Sequence, residues 1–293
     1  MGRGSTRIGW LVLLLMGPLT ACTTIPAPDA VAPGMTTPVA EFSHAEFDRV
    51  LSQFVDERGR VDYATLARDT RPLDAYYAQL AAASPDSHPD LFPSEDAKLA
   101  YWINAYNAAA IETVLYYYPI ESVKDVRSGA LFFLPRLAGF FYLQRIELGG
   151  RKMNLYDLEN GLIRKRFADP RVHFALNCAS LGCPRLPRHA FHAATLQNEL
   201  EAETTKFIGE PRNVAFEAAE HRIGLSSIFD WYESDFTDWM KQNHPDRPAT
   251  LIGYVGLYLS PEQTDALYRC DKCEIEFVEY DWALNDQRAP ETR

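Results

Sequence analysis

Apolar and polar positions recur along this chain in two rhythms, one helical and one extended. Ser43-His44-Ala45-Glu46 has the pattern of a capping box, in which a Ser and a Glu three residues later satisfy each other's free backbone N–H groups. It predicts a helix to about Glu57, ended by Gly59. Val61-Asp62-Tyr63 reads as a short extended piece, and Arg71 to Ala83 as a second helix, broken by Pro85 and Pro89. The clearest helix opens at Ser94-Glu95-Asp96 and runs to Tyr118, before Pro119. On it Leu99, Ile103, Tyr106, Ala110 and Tyr117 point one way, with Ala100, Ile111 and Leu115 on the far side. A helix apolar nearly all round is expected to be buried.

Further on, Phe140 to Leu148, Gly149-Gly150 and Arg151-Lys152-Met153 read as a hairpin. Asn154 caps a helix to about Phe167, with Leu155, Leu158, Leu162 and Ile163 as its apolar stripe. Arg171 to Asn177 alternates like a strand, with Phe174 and Leu176 on one face and His173, Ala175 and Asn177 on the other. A tight loop of small residues follows, Cys178 to Pro184. Helices are expected over Thr195–Ile208, from Ser227-Ile228-Phe229-Asp230 through Phe236, and over Ala249–Tyr258 and Pro261–Arg269, then a strand from Glu274 to Tyr280. Helices outnumber strands and do not alternate with them, which predicts an α+β fold: one mostly helical domain with a small antiparallel sheet. No second linker interrupts residues 42–285, leaving 286–293 as a C-terminal tail.

The first 41 residues follow another pattern. Arg3 and Arg7 precede a short apolar run, Ile8 to Met16, too short to span a bilayer. Leu19-Thr20-Ala21-Cys22 then resembles the lipobox of bacterial lipoproteins. The resemblance implies a signal peptide over residues 1–21, cleavage before Cys22, and lipidation of that cysteine. Three acyl chains exceed what stable anchoring needs. Thr23 stands where Asp retains bacterial lipoproteins in the inner membrane, so outer-membrane sorting facing the periplasm is expected. Residues 22–41, with Pro26, Pro28, Pro33 and Pro38, read as an extended tether. Without the signal peptide, 27 basic residues face 40 acidic ones, a net charge of −13. That balance argues against nucleic-acid binding, which needs clustered Lys and Arg.

Candidate chemistry comes from polar residues at apolar positions. Asn104 and Asn107 sit on the buried helix and need partners, either as braces for neighbouring loops or in a pocket wall. Glu159 interrupts an apolar stripe, so it is paired, protonated or functional. Arg166, about two turns further on, is its simplest partner. Gly161 within the same helix suggests close packing.

Trp102-Ile103-Asn104-Ala105-Tyr106-Asn107, Leu155-Tyr156-Asp157-Leu158-Glu159, Arg171 through Cys178, Cys183-Pro184, Trp231 through Phe236 and Tyr280 through Asn285 together resemble the domain-of-unknown-function 547 family. The resemblance spans roughly 42–285 and implies an envelope domain with a candidate site but no assigned reaction. Many members carry His after the Glu of the Leu-x-x-x-Glu helix. This chain has Asn160, so a mechanism needing that histidine is weakened. Cys270 and Cys273 lie outside the family pattern.

With Cys22 lipidated, four cysteines remain: Cys178, Cys183, Cys270 and Cys273. They allow two local disulfides or one long-range pairing, a zinc site of four thiolates, or a nucleophile. In the last case Cys178 is the nucleophile and His173 its base. Glu159 orients the histidine, and Asn104 or Asn107 binds substrate at the oxyanion. Two function classes follow: a thiol-dependent hydrolase or acyl transferase acting on an envelope peptide or polymer, or a non-catalytic envelope binding module stapled by disulfides. Neither calls for a cofactor. A thiol–disulfide role for Cys270-Asp271-Lys272-Cys273 is weaker, because no helix N-terminus follows to lower a thiol pKa.

Overall fold

The computed structural model describes residues 22–27, 41–126, 135–270 and 272–289. The expected signal peptide, residues 1–21, and most of the expected tether, residues 22–41, lie outside the described residues. In chain order the elements are β1 (Thr23–Thr24), α1 (Ala45–Phe54), α2 (Tyr63–Leu66), α3 (Arg71–Ala82), α4 (Glu95–Tyr117), α5 (Ala138–Phe141), β2 (Gln144–Leu148) and β3 (Arg151–Met153). Then come a π-helical stretch (Asp157–Ile163) running into α6 (Arg164–Phe167), a 3-10 turn (Pro170–Phe174), α7 (Leu196–Gly209), β4 (Val214–Glu217), β5 (Arg222–Ser226), α8 (Ser227–Trp231), α9 (Glu233–Asn243), α10 (Leu251–Val255), α11 (Pro261–Arg269) and β6 (Glu274–Val278).

The fold is α+β, as the pattern predicted, but its sheet content is not one antiparallel sheet. Two three-stranded mixed sheets form, β1-β2-β3 and β4-β5-β6. In each, one pairing is antiparallel and the other parallel. The β4–β5 hairpin has no counterpart in the sequence reading. It turns through Ala218–Glu220 and a left-handed His221, without the Gly or Asn-Gly that marks a tight turn. The β2–β3 hairpin does carry that mark: Gly149 and Gly150 both have positive φ, and a Cβ on Gly149 would stand 2.2 Å from Ser84 Oγ.

α4 is the axis of the larger core. The Ser94 side chain accepts from Ala97 N, and every residue from Leu99 to Val114 is buried. Around it pack α1, α3, the first sheet and the π-helical stretch. A second core gathers Phe174, Phe207, Phe229, Phe236 and Tyr254 among α7–α10 and the second sheet. The C-terminal segment laces the two together: Leu284 N donates to Glu121 O, Leu181 N to Ala283 O, and Asn285 N to Ala179 O. It continues beyond 285, where Gln287 N donates to Val61 O and Asp286 is buried.

Three of the local readings change in ways that bear on the site. Arg171–Asn177 is not a strand. Asp169 caps a 3-10 turn by accepting from Arg171 N, and Pro170 supplies a first position that needs no N–H. Alternation there sorts no faces, because every residue from Val172 to Ser180 is buried. The helix holding Glu159 is π-wound, with Arg164 N bonded to Glu159 O. Its wider turn carries Arg166 off the Glu159 face, and Arg166 pairs with Asp86 instead, at 2.6 Å. The start of the expected tether is docked: Thr23 and Thr24 pair with Gln144 and Arg145, and Ile25 is buried in the larger core. Among the described residues no helix is long and apolar enough to cross a membrane.

Candidate functional site

The two cores meet around a cavity of about 940 Å³ with a mostly apolar wall. α4 contributes Tyr106, the π-helical stretch Glu159, the 3-10 turn His173, and the loop after it Cys178 and Cys183. The α8–α9 junction adds Trp231 and Tyr232, and the C-terminal segment Tyr280 and Trp282. Three of the five residues singled out in the sequence, Glu159, His173 and Cys178, therefore share one cavity.

Asn104 and Asn107 do not line it. The Asn104 side chain donates to Phe191 O and accepts from Phe191 N, at 2.8 and 2.9 Å. Asn107 donates to Ala175 O and accepts from Asn177 N, at 2.9 and 2.8 Å. Both carboxamides are spent on loop backbone. Asn107 acts on the site indirectly, by holding the segment between His173 and Cys178.

Glu159 is not bonded to His173. Its carboxylate accepts from two phenols, Tyr106 at 3.0 Å and Tyr232. Burial, then the Glu159 charge, push both phenol pKa values up, so both remain donors. The partner of His173 is Asp235: His173 Nε2 lies 2.8 Å from Asp235 Oδ2. Arg164 grips the same carboxylate through two nitrogens, at 2.7 and 2.8 Å. Burial opposes ionisation of Asp235, but bonds from His173 and Arg164 hold it well below the usual carboxylate range. An ionised Asp235 accepts, so Nε2 carries the hydrogen and a neutral ring has its lone pair on Nδ1. The ring stacks on Tyr232, centroids 3.9 Å apart at 19°. Glu159 thus reaches His173 through Tyr232.

Cys178 and Cys183 are free thiols in adjacent positions. Cys178 N donates to Cys183 Sγ at 3.0 Å, and the Tyr280 hydroxyl lies 3.4 Å from Cys178 Sγ and 3.0 Å from Cys183 Sγ. The Cys183 thiol, working against burial and helped by Tyr280 and Ser180, lowers the Cys178 pKa. Burial, and then the neighbouring Cys178, push Cys183 up. Of the two thiols, Cys178 is therefore the one whose ionisation its neighbours favour. Ala179, next in the chain, has a left-handed φ of 64°, which costs a non-glycine residue about 1–2 kcal/mol. Its N–H is held by Asn177 Oδ1 at 2.8 Å. His173 and Cys178 line the same cavity without a direct hydrogen bond between them.

Cys270 and Cys273 form a disulfide between α11 and β6. Of the two local bridges considered, only this one is closed. Among the described residues no group of three or more His, Cys, Asp or Glu side chains is arranged to hold a metal, so the four thiolates make no zinc site. Asp235, Tyr106, Tyr232 and Tyr280 all lie in the segments that carry the family resemblance, but the sequence alone assigned them no site role. An acid in the first turn of a helix such as α9 is an ordinary dipole partner, so Asp235 gave no separate signal.

Residues 92–208 match a family model described as protein of unknown function, DUF547. The matched span includes Asn104, Asn107, Glu159, His173, Cys178 and Cys183, and ends before Asp235 and Tyr280. No curated protein and no solved structure matches the chain significantly.

Proposed function

We propose that the chain is a membrane-anchored envelope lipoprotein, lipidated at Cys22, whose cavity performs thiol-dependent acyl hydrolysis or transfer with Cys178 as nucleophile. One observation carries the reading: a buried thiol with neighbours that favour its thiolate opens on the same cavity as a histidine backed by an ionised Asp. Cys–His–carboxylate chemistry is defined by these roles rather than by sequence order. Asp235 takes the orienting role first given to Glu159, while Glu159 positions the histidine through Tyr232.

In this reading the proton of Cys178 passes to His173. The thiolate adds to the carbonyl carbon of an ester or amide, and a C–S bond forms as the π electrons move to oxygen. Collapse breaks the C–O or C–N bond, and the leaving atom takes its proton from His173. Water or an acceptor nucleophile then attacks the thioester, gives a proton to His173 and releases Cys178. Unliganded sites often hold such partners beyond hydrogen-bonding distance until substrate arrives, which accommodates the gap between His173 and Cys178.

The test is intact-mass analysis of the full chain after exposure to an activated acyl ester. A single acyl adduct mapped to Cys178, absent from Cys178→Ser, is expected. No adduct on any cysteine would contradict the reading. A second reading, a non-catalytic binding module, is favoured by the closeness of Cys183 to Cys178, since oxidation would join them and staple the cavity wall. Recovery of that pair as a disulfide from native protein, with no free thiol at either position, would favour it.

A further inference from the structure

We infer that the cavity takes an acyl chain of a bilayer lipid, and that its rim lies on the membrane surface. The inference deepens the proposed function by naming its substrate class, and it rests on the readings of Cys22 as lipid anchor and Cys178 as acyl acceptor. Three independent features support it.

The first is the cavity wall. Its charged and polar groups include a linked cluster: Glu159 accepts from Tyr106 and Tyr232, and the Tyr232 ring stacks on His173 and lies under Arg164. Much of the remaining wall is Leu137, Phe141, Leu143, Leu176 and Ile228. A small polar cluster in a large apolar space suits a ligand with one reactive carbonyl and a long hydrocarbon body. An envelope peptide or polysaccharide would leave many polar groups unpaired against these side chains.

The second is the rim. Tyr142, Tyr156 and Trp231 line the cavity yet are 44%, 40% and 46% exposed. Tyr142 stacks on Tyr156, and Trp231 on Trp282. Tyr and Trp, with apolar bodies and polar tips, are the side chains that settle at a bilayer–water interface.

The third is where the anchor emerges. Thr23 N donates to Leu143 O at 3.0 Å, Ile25 N donates to Arg145 O at 2.8 Å, and the Tyr77 hydroxyl holds Ile25 O at 3.2 Å. In this parallel register Cys22 falls beside Leu143, a cavity residue. The docked strand fixes the anchor at the rim instead of leaving the domain to swing on a free tether. The occupant is a neighbouring lipid rather than the Cys22 lipid, because a chain withdrawn from the bilayer would weaken the anchor.

The experiment reconstitutes the full chain in vesicles of phosphatidylethanolamine and phosphatidylglycerol doped with a phospholipid carrying a diazirine in its acyl chain. Photo-crosslinks are then mapped by mass spectrometry. Crosslinks at Leu137, Phe141, Leu176 or Ile228 are expected, reduced about tenfold by filling the space with Leu176→Trp or, nearer the mouth, Ala138→Trp. Crosslinks confined to the segment around Cys22 would overturn the inference. So would cavity crosslinks that appear only in Cys22→Ala, which would show that the anchor's own chain fills the cavity. Cys178→Ser separates this inference from the reading it rests on. Cavity crosslinks that persist in that variant, together with a wild-type Cys178 that takes no acyl group, would support the inference and defeat the thiol chemistry. An acylated Cys178 without cavity crosslinks would do the reverse.

Discussion

The chain carries two close cysteine pairs in different states. Cys270 and Cys273, three positions apart, are joined in a disulfide between a helix and an edge strand whose residues are exposed. Cys178 and Cys183, five apart, are buried and reduced, and share the hydroxyl of Tyr280. Spacing does not separate the two pairs; surroundings do. A thiol acquires chemistry when a donor stabilises its charged form and a cavity gives access to it. Only the Cys178 pair has both. The same contrast separates Asn107 from Glu159. Each is a buried polar group, but the first is consumed by backbone and the second faces a cavity.

The largest expected effect is on turnover. Cys178→Ser should lower acyl-ester hydrolysis or transfer by about a thousandfold or more, whereas Cys270→Ser with Cys273→Ser should leave it unchanged. Equal losses from both pairs would erase the distinction. Asp235→Asn tests the partner that the sequence did not reveal. It removes the charge shared by His173 and Arg164, and should cost about 2 kcal/mol in urea unfolding, less than a fully buried pair because the carboxylate is partly exposed. It should also slow acylation of Cys178 more than it weakens substrate binding. Opening the Cys270–Cys273 bridge closes only a short loop in reverse, so the same unfolding assay should show a loss of no more than about 2 kcal/mol. Smallest is Tyr280→Phe, which takes a hydroxyl from both sulfurs. Alkylation of Cys178 at neutral pH should slow by about threefold as its pKa rises, and Cys270 and Cys273 should not respond.

Much of this frame was legible in the sequence, for physical reasons that also explain the failures. The capping Ser94 and an apolar surface all round marked α4, and Gly149-Gly150 marked a hairpin, because caps and positive-φ turns are local. The cost of leaving Asn104 and Asn107 unpaired left them either bracing loops or lining a pocket, and it is the bracing role, not the expected substrate binding, that their backbone bonds fill. Arg171–Asn177 misled because alternation carries information only where one face is wet. The relation of Glu159 to Arg166 failed because a π-helical stretch changes which residues share a face. The sequence brought His173 and Cys178 together through a turn of small residues after an expected strand ending at Asn177. In the structure they line one cavity from a 3-10 turn and the buried loop that follows it instead. Asp235, 62 positions from His173, reaches it only through tertiary packing. The docking of Thr23 and Thr24 on β2 was likewise hidden, because two small polar residues before prolines look like linker.

The central claim is that Cys178, alone among the four domain cysteines, is a reactive thiolate at a cavity. Its most direct test is the alkylation rate of each cysteine in the native full chain, measured as a function of pH with the labelled positions resolved by mass spectrometry. A lowered pKa keeps the thiolate populated below the range in which an ordinary thiol, at about 8.5, begins to ionise. Cys178 should therefore label first, and remain reactive at a pH where Cys183 is silent, while Cys270 and Cys273 label only after reduction. Labelling of Cys178 that begins no earlier than that of an ordinary thiol, or no native labelling of Cys178 and Cys183 until reductant is added, would contradict the account.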